Sequence, residues 1–321
     1  MIKYSCLILV SFSLTFSSVS LANDDIDELI VLANQEIAKS QYDKAYKLAS
    51  HAKHLSTMES QAIRLAKSLN IQGTALYHLS DFTGALDFHQ QALVISENQD
   101  DQDLTASILS NIGNIHLQLN DYETALITYQ RVYENYLNTS PRTQVKILTN
   151  YGYTLFKNLN TSEALKKFDR AIKIIEQEEL HVYKIYYLIM RSEIARSSGN
   201  YEQSMTLLQQ ALTISEEQNN AILKITTNIE MGVTLYLMSE YQTVIDLILP
   251  ELDQLKVIGK KDKEEDIHRL LADSYKQLNK FKKALFHREQ ENEIREQQIN
   301  LKALQHSNIV SADRALKKQQ S

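Results

Sequence analysis

Cysteine is almost missing from this chain. Of 321 residues one is cysteine, Cys6, and it falls in a leader-like stretch, MIKYSCLILVSFSLTFSSVSLA. Lys3 gives that stretch a positive start, Cys6 to Phe16 a short apolar core, and Ser20 and Ala22 a small-residue cleavage site before Asn23. Residues 1–22 therefore read as a secretory signal peptide, too short and serine-rich for a good membrane span. Cys6 precedes the apolar run without a lipoprotein box, which argues against a lipid anchor. Cleavage after Ala22 leaves no cysteine, so disulfides, thiolate metal sites and a cysteine nucleophile are excluded from the mature chain. The expectation is an exported, periplasmic protein, with full secretion as the alternative.

Other scarcities narrow the class. Proline occurs twice, glycine seven times and tryptophan never, which leaves little material for the turns of a β-rich fold. No 18-residue apolar run follows the leader, so no stable membrane insertion is expected after cleavage. Positive charge is not in excess: without Lys3, 33 basic residues face 40 acidic ones, which argues against a nucleic-acid binder. G-x-S-x-G, H-E-x-x-H, P-loop and G-x-G-x-x-G motifs are all missing, so an enzyme reading has no catalytic residue and no cofactor site. His51 and His54 stand three apart on one helix without a third ligand nearby, and no metal is expected.

What is present is a repeat. The segments QYDKA (41–45), DFTGA (81–85), DYETA (121–125), NTSEA (160–164), NYEQS (200–204), EYQTV (240–244) and KFKKA (280–284) recur at intervals of 40, with one interval of 39. An aromatic stands three before the closing residue in six of the seven, and Gly73, Gly113, Gly152 and Gly232 share the slot twelve before it. Apolar residues at i, i+3, i+4 and i+7 on both sides of each segment predict two helices per unit. Asn and Asp at Asn120, Asp121, Asn160 and Asn200 suit the break and the next cap, and Ser140–Pro141 reads as an N-cap followed by a first helical residue. Gly113 is expected to face the small Ala125 region across the hairpin, and Tyr122 to fill the wedge between neighbouring units. Pro250 is expected to kink or end the second helix of unit six. Hairpins that cannot bury their stripes alone must stack.

The Gly, the aromatic nine later, the Ala three beyond, and the small residues Ala92 and Ala171 seven further on resemble tetratricopeptide repeats, here in an extended 40-residue form. The resemblance implies an all-α, right-handed superhelical solenoid of about seven hairpins over residues 23–298. Its units lie near 26–59, 66–99, 106–139, 145–178, 185–218, 225–258 and 265–298, and residues 299–321 form a polar helical tail. It also implies a concave groove lined by the first helices. The family's lining slots fall on Asn70, Thr74, Tyr77 and His78; on Ser110, Asn114, Leu117 and Gln118; and on Thr149, Tyr153, Phe156 and Lys157. In unit five they fall on Ile189, Glu193, Arg196 and Ser197, and Asn111 and Asn150 lie close to the same surface. Amides and hydroxyls there suit a peptide backbone, and Tyr77, Tyr153 and Phe156 suit apolar side chains. The Lys and Asn of a carboxylate clamp are not found in units two to four, so a partner's C-terminal carboxylate is not the expected ligand.

The functional expectation is a non-catalytic scaffold that binds a protein or peptide partner in the groove. The alternative is a sensor or regulatory module acting with a membrane-bound signalling partner, because the layout is similar to the extracytoplasmic half of bacterial signalling proteins that end in a diguanylate cyclase. The tail is expected to cap the last repeat, with a homodimer through that helix as the other possibility.

Overall fold

The structure, a computed structural model, describes residues 26–320, with side chains through residue 314; the leader lies outside the described residues. The described residues fold as an all-α solenoid. Its first three hairpins are α1 (Ile26–Ala38) with α2 (Tyr42–Met58), α3 (Ala62–His78) with α4 (Phe82–Asn98), and α5 (Gln102–Gln118) with α6 (Tyr122–Asn135). The next two are α7 (Pro141–Lys157) with α8 (Thr161–Gln177) and α9 (His181–Ser197) with α10 (Tyr201–Glu217). In the sixth, α11 (Ala221–Leu237) pairs with α12 (Tyr241–Ile248) and α13 (Glu251–Ile258), and in the seventh α14 (Lys261–Gln277) pairs with α15 (Phe281–Gln320). The first helices pack in file, α1 on α3 and onward through α5, α7, α9 and α11 to α14, and so make one continuous wall.

The period is finer than 40 residues. Backbone φ is positive at Ser40, Ser60, Ser80, Asp100 and Asn120, and again every 20 residues from Leu159 to Asn279. Turns within hairpins and turns between them are therefore the same device. At Asn120, whose N–H donates to Leu117 O (3.0 Å), the chain closes a Schellman motif through Asp121 N–H to His116 O (2.9 Å). Asp121 then starts the next helix by accepting the Thr124 N–H at 3.2 Å. Asp81, Asp101, Asn160, Asn200 and Asn220 cap in the same way. One turn departs from this: α6 stops at Asn135, and α7 begins at Pro141 behind Ser140. Ser140 holds the N-cap position but spends its hydroxyl on Asp103 Oδ1 (2.8 Å) rather than on a helix amide.

Pro250 divides the sixth unit's second helix between α12 and α13, because proline has no N–H to donate and its ring crowds the preceding turn. The glycine slot behaves differently from the sequence expectation. A Cβ on Gly113 would lie 2.7 Å from Tyr129 Cε2, one on Gly73 2.8 Å from His89 Cε1, and one on Gly152 3.1 Å from Phe168 Cε2. The glycine thus faces the residue sixteen later, four beyond the alanine, and a buried ring takes the space a side chain would need. A Cβ on Gly232 would lie 2.9 Å from Leu270 Cδ2 and 3.2 Å from Cγ2 of Ile248, the residue sixteen later. Tyr122 is half-buried, and its hydroxyl donates to Asn120 Oδ1 at the turn (2.9 Å).

The last helix runs without a break through the expected boundary at 298–299. Its near half packs on α14, where His268 Nδ1 meets His287 Nδ1 at 2.9 Å and buried Glu291 is bridged by Arg288 and Arg295. Its far half crosses to α2, so the tail returns to the start of its own array.

Candidate functional site

A cavity of about 370 Å³ opens on the wall of first helices. Four of them supply it: Tyr77 from α3, Asn114, Leu117 and Gln118 from α5, Asn150, Tyr153 and Lys157 from α7, and Met190 from α9. Asn120 and Tyr122 close it at the α5–α6 turn. Helical geometry explains the convergence: residues one, four and five after the glycine slot share one flank of each first helix, so first helices packed in file present them side by side.

The polar groups are held from behind. The Tyr129 hydroxyl, fully buried, donates toward Asn114 Oδ1 (2.6 Å) and lies 3.0 Å from Ser110 O. Asn111 Nδ2 donates to Asn70 Oδ1 at 3.0 Å, joining units two and three beside the cavity. Lys157 Nζ donates to Glu193 Oε1 at 2.7 Å and sits 5.0 Å from the Tyr153 ring centre and 5.5 Å from that of Phe156. Burial weakens the Lys157 cation, yet hydrogen bonds to Glu193 and Tyr153 outweigh it and hold its pKa above the usual lysine value. Burial pushes the Tyr77 and Tyr153 phenols up. The cavity is thus walled by neutral donors and acceptors, aromatic edges and one neutralised cation.

Of the residues expected to line a groove, Tyr77, Asn114, Leu117, Gln118, Asn150, Tyr153 and Lys157 come together at this cavity. Asn70 and Asn111 bond to each other next to it, and Thr74 turns its hydroxyl onto Asn70 O (2.9 Å). Ser110 and Thr149 do not line anything: each is only 8% exposed and bonds back to a carbonyl of its own helix, Ala106 O and Val145 O. His78 stacks on Tyr42, and Phe156 lies against Tyr153 outside the lining. Met190 was not among the expected residues. It occupies the slot two before the glycine position, where Asn111 and Asn150 stand in their units, and extending that slot to unit five would have found it. Asn120 and Tyr122 enter from a turn, which a reading confined to first helices passes over.

A larger depression of about 450 Å³ lies near the start of the array, lined by Gln61, Arg64, Lys67 and Gln99 among others. Arg64 there is already bound to Asp27 at 2.8 Å, and the notch has no aromatic wall. Among the described residues no group of three or more His, Cys, Asp or Glu is placed to hold a metal ion. No helix among them is long and apolar enough to cross a membrane.

The chain matches the tetratricopeptide repeat family over residues 64–138 and again over residues 185–218. It is similar to the structure of a Rap protein complexed with Competence and Sporulation Factor, at a TM-score of 0.68 and 17% identity, covering 87% of this chain and 76% of that one. It is also similar to aspartyl phosphate phosphatase F from Bacillus subtilis (TM-score 0.64, 17% identity, 84% of this chain and 70% of that one). A third similar structure is a plasmid Rap conjugation regulator in complex with a peptide (TM-score 0.61, 17% identity, 88% and 81% covered). At that identity the likeness is one of fold. No curated protein matches the sequence. Repeat, fold and matches agree that the chain carries tetratricopeptide repeats.

Proposed function

We propose that this protein is a non-catalytic binding scaffold that holds a peptide or protein segment in the cavity between Tyr77 and Met190. The observation that carries this reading is the convergence of four consecutive first helices on one cavity whose amides are pre-positioned by buried partners, Asn114 by Tyr129 above all. Preset donors and acceptors lower the ordering cost of binding an extended backbone. The aromatic edges of Tyr77 and Tyr153 and the Met190 thioether suit an apolar side chain between them. Because Lys157 is closed by Glu193, an anionic group would have to displace an existing ion pair, so a segment neutral at this point fits better. Rap structures solved with a bound factor or peptide support this use of the fold. At 17% identity the aspartyl phosphate phosphatase supports the fold and carries no argument about catalysis.

Export of the mature chain from Asn23 onward belongs to the same proposal and is supported by the leader-like residues 1–22. Regulation of a membrane-bound signalling partner remains a use of this scaffold that its own side chains do not favour over simple capture.

The test is capture of a partner from the extracytoplasmic fraction by wild-type protein and by the triple variant Tyr77→Ala, Asn114→Ala, Tyr153→Ala, with helicity compared by circular dichroism. Loss of the partner at unchanged helicity is the expected result. Full retention of every partner would remove the cavity from the function.

A further inference from the structure

The far half of α15 lies across the α1–α2 turn and the start of α4, and its contacts are specific. Gln305 Oε1 accepts the Tyr42 N–H at 3.0 Å, while its Nε2 donates to Ser40 O at 3.3 Å. Gln41, at the N-cap of α2, makes no side-chain cap, so a residue 263 positions beyond Tyr42 does that work. Asn308 Nδ2 donates to Asp43 Oδ2 (3.0 Å), and the Tyr46 hydroxyl donates to Asp313 Oδ2 (2.9 Å). His306 Nε2 lies 3.1 Å from Asp81 Oδ2, whose other oxygen caps α4 through the Gly84 N–H. Ile309 is buried in the cluster of Tyr46, Leu76 and Leu79. From the last hairpin, Lys260 Nζ also donates to Ala38 O at 3.2 Å. First and last units are thereby tied to each other.

This joint is unlike the stacking elsewhere. It buries one aliphatic side chain and otherwise relies on hydrogen bonds, each worth little net in competition with water. A solenoid is held only by neighbour-to-neighbour contacts, so a small rotation at each hairpin adds up to a large separation at the ends. Segments with few buried apolar contacts open first. We infer that residues 302–313 are an intramolecular clasp that holds the superhelix closed and releases as a unit while the hairpins stay folded. Release reaches the candidate groove through a short path: Gln305 holds the Tyr42 amide, the Tyr42 ring stacks on His78 (centroids 4.9 Å apart, 7° between planes), and His78 meets Tyr77 at 5.3 Å. This last clause rests on the groove reading; the clasp itself does not.

Hydrogen exchange and small-angle scattering on the full chain test it, without any partner, in the wild type and in Gln305→Ala and Ile309→Asp. In the wild type, amides of 302–313 and the Tyr42 amide should exchange at a common rate, faster than amides of 284–298. Ile309→Asp should speed both groups at least tenfold and raise the radius of gyration, with protection in α5 to α10 unchanged; Gln305→Ala should act in the same direction and less. Equal protection of 302–313 and 284–298 in the wild type would overturn the clasp, as would an unchanged Tyr42 amide and radius in Ile309→Asp. Loss of protection throughout the chain would overturn it too, since the segment would then be ordinary core. A shift of the Tyr77 ring resonances in Ile309→Asp is expected, and its absence would remove the path to the groove. Failure of partner capture leaves all of these readouts intact, so the two proposals can fail separately.

Discussion

Gly113 and Tyr129 show how one slot sets the distance between two helices. A methyl group at residue 113 would sit 2.7 Å from a ring that is fully buried and tied at its hydroxyl, so the ring cannot step aside. Gly113→Ala should therefore destabilise by about 1–3 kcal/mol, as overpacking does, and urea midpoints would show it; no change would mean that the ring moves freely. His89 fills the same slot over Gly73 at 1% exposure, and burial pushes its pKa down to about 4. The folded state thus binds fewer protons than the unfolded state, whose imidazole titrates near 6.5. The stability His89 contributes as a neutral ring is complete above that value and is lost as pH falls from about 6.5 toward 4, by on the order of 3 kcal/mol. His89→Phe, copying Phe168 in its unit, should flatten the difference between urea midpoints at pH 7 and pH 4.5; an unchanged difference would clear His89 of this role. At this scale the sequence disclosed the glycine register but not its partner. The partner slot holds His, Tyr, Phe or Ile, which share bulk and no chemistry, so no single residue type marks it. Ser110 and Thr149 misled for a related reason: a hydroxyl in a helix can bond to the carbonyl one turn back, and spacing alone does not say which way it turns.

Helices of 17 residues joined by turns with one left-handed residue explain why so little glycine suffices. Gly199 and Gly259 occupy two of the left-handed positions, while Ser, Asn, Asp, Glu and Leu take the others at some cost. Leu159, at φ 63° and 92% exposed, packs against almost nothing that could offset that cost. Leu159→Gly should raise stability by about 0.5–1 kcal/mol, the left-handed penalty less the added freedom of the unfolded chain. A thermal midpoint equal to or below that of the wild type would contradict this. Element type and the 40-residue interval were legible because apolar stripes and Asn or Asp caps recur in register. The 20-residue half-period was not, because the two helices of a unit present different faces and only their turns coincide. The break at Pro250 was legible from proline chemistry alone.

For the whole molecule, the all-α array followed from the repeat, whereas the course of the tail did not. The inward stripe of α15 reads His287, Glu291, Ile294, Gln305 and Ile309, which is mostly polar, so hydrophobic periodicity has almost no signal to detect. The contacts that fix it are caps and ion pairs to residues more than 200 positions away, which no local pattern encodes. Export is tested at this scale as well: intact mass of protein recovered from the native host should correspond to a chain beginning at Asn23, and a mass that includes Met1 would refute the leader. Pinning the two ends to each other also changes where the structure should begin to come apart. An open rod frays from its tips, but here the tips brace one another. While the clasp is engaged, failure of the hairpins themselves is then expected at the interior irregularities, the Tyr136–Ser140 link that skips the common turn and the Pro250 interruption, rather than at the first or last hairpin.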